Sequence, residues 1–113
     1  MLAGSALAEW VMYDTTDTNT FYYDPATIRK DGHIRRVWKL QDLRKRHKDG
    51  EMSVRSREEF DCTQERMRYL ALSTHSEPMA GGVVLESFGE DKDWRNVPPN
   101  TSLGTILNIV CTK

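Results

Sequence analysis

The chain has 113 residues, of which 38% are hydrophobic and 29% charged, with a formal net charge of −1. These values fit one folded domain with a modest core, and they exclude a disordered polyelectrolyte or a chain whose overall field gathers nucleic acid. No apolar run approaches the roughly 18–20 residues of a membrane-spanning helix.

Ala6-Leu7-Ala8 before Glu9 matches the small-residue cleavage pattern of an exported precursor. Residues 1–8 are therefore read as a signal-peptide tail or a cloning remnant, and residues 9–113 as the domain. Aromatic and β-branched runs, Trp10 to Tyr13 and Thr20 to Tyr23, flank the polar turn Thr16-Asp17-Thr18-Asn19 and predict a hairpin. Asp24-Pro25 breaks the second strand, with Asp24 capping a short turn that runs through Ile28.

Asp31-Gly32 and Asp49-Gly50 read as tight turns bounding a long strand. In that strand Ile34, Trp38 and Leu40 share one face, and Arg35, Val37, Lys39 and Gln41 the other. The next strand sets Met52, Val54, Phe60 and Cys62 against Ser53, Arg55, Arg57, Glu59 and Asp61, with Ser56 and Glu58 interrupting its apolar side. Arg66 to Ser76 is a further strand with apolar residues on both faces, so its buried side is left open. Pro78 to Gly82 is a break, Val83-Val84-Leu85 begins another strand, and Gly89 to Asn96 is an acidic loop around Trp94.

The last segment predicts a helix. Asn100, Thr101 or Ser102 can cap it, and Leu103, Ile106, Leu107, Val110 and Cys111 form one helical stripe. Gly104 inside it suggests a close backbone approach to the sheet. The expected fold is α+β: an antiparallel meander of about six strands with one C-terminal helix packed on one face. Cys62 and Cys111, the only cysteines, both end core-side patterns. With an export-like N-terminus, that points to one disulfide tying the helix to the sheet.

Several segments together resemble the bacterial surface-adhesin protein E family. They are residues 21–32 (Phe21 to Gly32), Val37 to Asp42, Asp61-Cys62, Pro78-Met79 with Gly82-Val83, Trp94 with Val97-Pro98-Pro99, and Cys111. The resemblance implies an exported antiparallel sheet with a disulfide-tied C-terminal helix. It also implies adhesion at the bacterial surface, where pathogen members bind matrix and serum proteins such as laminin, vitronectin and plasminogen. The matching residues are turns, aromatics and cysteines, so they carry no binding residue onto this chain.

The strongest local feature for binding is basic. Arg35, Arg36, Lys39, Arg44, Lys45, Arg46 and Lys48 lie between His33 and Lys48 with Asp42 as the opposing charge. Such a patch suits an anionic polysaccharide or an acidic protein of host or envelope. The same charges also suit a solvated turn that discourages edge pairing. Nucleic acid is not expected, because no stacking aromatics are interleaved with the tip charges. Val37, Leu43, Leu70 and Leu72 suggest an apolar strip on the sheet face opposite the helix, a candidate homodimer or partner surface.

No cofactor or metal is expected. His33, His47 and His75 lack zinc-ligand spacing, and the acidic stretch Glu86 to Asp93 does not match a calcium loop. No nucleophile elbow or phosphate loop occurs, and the adjacent Glu58 and Glu59 must face opposite sides of a strand. The reading is a non-enzymatic exported binding protein of the bacterial surface or periplasm. The alternative is a periplasmic inhibitor or envelope-stress accessory protein.

Overall fold

The computed structural model describes residues 8–112. The expected signal tail lies outside the described residues except for Ala8. The strands are β1 (Val11–Thr15), β2 (Asn19–Tyr23), β3 (Arg29–Asp31), β4 (Ile34–Leu43), β5 (Ser53–Asp61), β6 (Arg66–Glu77), β7 (Gly81–Phe88) and β8 (Arg95–Asn96), followed by helix α1 (Ser102–Thr112). They form an eight-stranded antiparallel sheet whose main path runs β1-β2-β4-β5-β6-β7. β3 pairs beside β4, and β8 beside β6. The six-strand meander of the sequence is thus present, with two short strands added to it.

Local chemistry explains the breaks. Asp24 Oδ1 accepts from the Ala26 amide at 3.1 Å, which caps the short 3-10 turn Pro25–Thr27. Gly32 sits at φ 59 and Gly50 at φ 97, the left-handed region that the Asp-Gly turns require. Thr101 Oγ1 accepts from the Gly104 amide at 3.1 Å and so caps α1. A Cβ on Gly104 would lie 3.0 Å from the Pro98 carbonyl oxygen. The close approach is therefore to the Pro98-Pro99 loop rather than to the sheet.

α1 covers the face of β4 that carries Val37, not the face with Trp38. The core joins Tyr23, Val37, Phe60 and Met67 from the sheet to Val97, Ile106, Leu107 and Val110. Val37, Phe60, Met67, Ile106 and Val110 are fully buried. Burying a side chain of this kind contributes about 1.5–3 kcal/mol.

The apolar strip expected opposite the helix is therefore corrected. Val37 lies under α1. Leu43 pairs with Asn19 on the same side, and Leu72 pairs with Ser56 there. The reason is a bulge in β6. Glu58 pairs with Tyr69 but Arg57 pairs with Ala71, so Leu70 is the extra residue. This shift puts Met67 and Tyr69, then Leu72 and Thr74, on the helix side, and it explains why β6 shows apolar residues in both phases.

Cys62 and Cys111 form a disulfide with a Cα–Cα distance of 5.7 Å across 49 positions of sequence. In the chain-entropy account, closing a loop of that size stabilises the fold by about 4 kcal/mol. On the face away from α1, Leu40 is 1% exposed and Ser53 0%. The 3-10 turn Pro78–Ala80 packs against β4 and β5 there. Ser53 Oγ donates to Glu77 O at 2.7 Å and accepts from the Ala80 amide at 2.9 Å. Asp42 Oδ1 accepts from the Met79 amide at 2.8 Å. These bonds hold Met79 and Ala80 at φ 58 and 60, conformations that cost non-glycine residues about 1 kcal/mol or more.

Candidate binding surface

The connection from β4 to β5 forms an ordered basic loop. Leu43 and His47 donate their amides to Met52 O and Glu51 O, both at 2.9 Å, and Gly50 donates to His47 O at 2.8 Å. The Arg44 amide reaches Thr18 O at 3.0 Å and ties the loop to the β1–β2 turn. Between this turn and the Arg44–Lys48 segment lies an open cleft of about 780 Å³. Residues 44–49 are all exposed.

Within the loop, Arg46 is anchored. Its Nη1 donates to Gly50 O at 2.9 Å and Ser76 O at 2.6 Å, and its Nη2 lies 3.7 Å from Glu77 Oε2. His47 Nδ1 lies 3.2 Å from Glu51 Oε1 and 3.7 Å from Asp49 Oδ2. The lysine and arginine ion pairs among the described residues engage Arg36, Lys39, Arg46, Arg66, Arg68 and Arg95. Arg44, Lys45 and Lys48 are left facing solvent.

The expected patch splits in two. Arg35 and Arg36 sit at the far end of β4, roughly eight residues and about 26 Å from Arg44 at strand spacing. Arg35 Nη1 donates to Gly32 O at 2.7 Å, and Arg36 Nε to Glu59 Oε2 at 2.8 Å. Lys39 is buried, with Nζ 3.0 Å from Glu58 Oε1 and 5.6 Å from the Tyr13 ring centroid. Ser56 Oγ donates to Glu58 Oε2 at 2.8 Å. Ser56 and Glu58, which interrupt the apolar side of β5, are thus the polar partners of a core lysine. Burial alone would lower the Lys39 pKa, but Glu58 and Tyr13 outweigh it and hold it above its usual value. Burial pushes the Tyr13 phenol up to about 12.

The face away from α1 carries arginines, carboxylates and tryptophans. Glu59 accepts from Arg36 and, at 2.7 Å, from Arg68 Nε. Its burial opposes ionisation, yet Arg68 and Arg36 hold its pKa below the usual value. Asp61 accepts from Arg66 Nε at 3.0 Å and from the Thr63 and Gln64 amides. Burial opposes its ionisation too, but these bonds hold its pKa below the carboxylate range. Arg66 and Arg68 each lie 4.8 Å from the Trp94 ring centroid, so the acidic loop is pinned to β6 by its tryptophan. Arg55 lies 4.0 Å from the Trp38 ring centroid. His75 is buried, and burial together with Arg55 lowers its pKa.

Sequence reasoning missed the apolar edge. Val83, Val84, Leu85 and Phe88 on β7 are 64%, 57%, 39% and 54% exposed. β7 ends the strand order, and its sequence offered the signal as Val83-Val84-Leu85.

The profile of the surface-adhesin protein E family matches residues 10–112. The fold is similar to Haemophilus influenzae protein E in crystal form II, with TM-score 0.68, 18% identity, and coverage of 95% of this chain and 97% of that one. A second structure of Haemophilus influenzae protein E gives TM-score 0.66 at 16% identity, covering 98% of this chain and 91% of that one. A structure of protein E from non-typeable Haemophilus influenzae gives TM-score 0.59 at 18% identity, covering 98% and 82%. No curated protein sequence matches the chain.

Proposed function

The chain belongs to the surface-adhesin protein E family, and on that premise we propose that its Arg44–Lys48 loop is the contact that holds an anionic partner. Membership implies an exported protein of the cell surface whose work is binding. The observation that carries the finer reading is the set of three exposed cations, Arg44, Lys45 and Lys48, that engage no carboxylate among the described residues and border a cleft. Like charges held together on an ordered loop repel one another, and an anionic surface relieves that repulsion. The partner classes are a sulfated polysaccharide and an acidic surface of a host matrix or envelope protein. Salt-dependent binding to heparin and laminin tests this reading. Capture of an envelope hydrolase with no binding to either would favour the periplasmic inhibitor instead.

The β7 edge favours a second reading, a homodimer. β7 is bulged at two places against β6, yet it presents three consecutive exposed apolar residues and no lysine or proline, which leaves it open to strand addition. A second copy fits it by charge. Glu86, the only charge of the strand, lies off a two-fold axis at Val84, so antiparallel pairing there does not set it against itself. This edge replaces the sheet face opposite the helix as the dimer surface, because the apolar residues are here.

A further inference from the structure

We propose that the cleft between Trp10 and Trp38, on the face away from α1, binds a carboxylated sugar residue. The cleft has a volume of about 520 Å³ and is lined by Trp10, Asp24, Thr27, Arg29, Trp38 and Arg55 among others. Sites for small ligands typically run about 300–1,000 Å³. It lies away from the basic loop and does not depend on that loop's role.

Arg55 supplies the specific group. Its guanidinium stacks 4.0 Å from the centroid of the Trp38 ring. The ion pairs among the described residues occupy Arg36, Lys39, Arg46, Arg66, Arg68 and Arg95, not Arg55. No protein acceptor among the described residues receives a hydrogen bond from it either. Stacking on an indole fixes the plane of a guanidinium while leaving its N–H edge free. That edge is a preformed fork for the two oxygens of a carboxylate. Little side-chain freedom is then lost on binding.

The rest of the lining suits the ring of a sugar. Trp10 is half-buried and offers an apolar surface to ring C–H groups. Asp24 is 6% exposed, and its Oδ1 already accepts from the Ala26 amide, which leaves Oδ2 to accept from a hydroxyl. Arg29 donates through Nη1 to Ala26 O and Ile28 O, which keeps its charge at the rim. Glu9 also borders the cleft. Two carboxylates beside two arginines disfavour a densely sulfated chain but accept one negative charge carried on a polar ring. The lining thus calls for one carboxylate and several hydroxyls on the same small molecule.

The test is titration of the full chain with glucuronic acid, glucose and acetate, followed by the indole N–H resonances of its tryptophans. Saturable shifts of the Trp10 and Trp38 signals with glucuronic acid are expected, with glucose and acetate each at least about tenfold weaker, equivalent to about 1.4 kcal/mol. Arg55→Gln should weaken glucuronic acid by about tenfold or more. Arg55→Lys should weaken it similarly, since a lysine keeps the charge but not the fork. The Arg44→Ala, Lys45→Ala, Lys48→Ala variant should bind it unchanged. Unaltered amide spectra away from the cleft establish that the Arg55 variants are folded. No saturable shift, equal response to glucose, full retention of binding by Arg55→Gln, or shifts confined to Trp94 would overturn the proposal.

Discussion

Lys39 Nζ and Glu58 Oε1 meet at 3.0 Å beneath the helix-side layer, where their side chains are 9% and 3% exposed. The pair bridges β4 and β5 diagonally, because Val37 pairs with Glu58 and Lys39 with Ser56. Two desolvated charges offset each other's burial only while both are present. Lys39→Met or Glu58→Leu alone should therefore destabilise the fold by about 3–5 kcal/mol, since each strands the other charge. The double variant should recover most of that loss. Urea unfolding of all four proteins reads the coupling, and additive losses would show that the two charges do not act as a pair.

The disulfide should matter on the same scale as a buried core contact. Reduction of Cys62–Cys111 frees α1 from the sheet end and is expected to lower stability by about 2–5 kcal/mol. Thermal unfolding with and without reductant measures it. An unchanged melting temperature after verified reduction would show that α1 is held by its apolar stripe alone.

Stability should fall in acid in two stages. His75 has a lowered pKa in the fold, so the unfolded chain takes up its proton first as pH drops. That contribution is complete above the ordinary histidine range, about 6.5, and is lost as pH falls below it. Asp61 and Glu59 also have lowered pKa values. Their contribution is present above the ordinary carboxylate range, about 4, and is lost below it. Urea midpoints from pH 8 to 3 should show both declines, and His75→Gln should remove the first alone.

The β7 edge makes its own prediction. The protein should sediment as a dimer whose fraction rises with concentration, and Val84→Lys should return it to monomer without loss of fold. A wild-type monomer at all concentrations, or a dimer indifferent to Val84→Lys, would contradict strand addition at β7.

The sequence revealed more about turns and helix caps than about faces. The Asp-Gly turns, the Asp24 cap and the helical stripe were legible because each depends on a few neighbouring residues, and the Cys62–Cys111 bridge because the chain has two cysteines. The helix side of β4 was not. Trp38 and Leu40 make one face look more apolar, while the true core face carries Lys39, whose charge is neutralised by a residue on another strand. β6 was read as a strand, but its buried side was not legible for a different reason, since its alternation changes phase at the Leu70 bulge. The basic run was visible as composition. Only the fold separates Arg44, Lys45 and Lys48 from Arg35, Arg36 and Lys39, which each donate at least one hydrogen bond within the protein.

The most direct measurement for the basic loop is association with heparin and laminin at low and high salt, for wild type and the Arg44→Ala, Lys45→Ala, Lys48→Ala variant. Exposed charges are screened over about 8–10 Å at moderate ionic strength. Wild-type association should therefore slow as salt rises, and the variant should associate slowly at every salt concentration. Its stability should change by no more than about 0.5 kcal/mol per site, because these side chains lie outside the core. Equal association by both proteins, or association indifferent to salt, would contradict the role assigned to the loop.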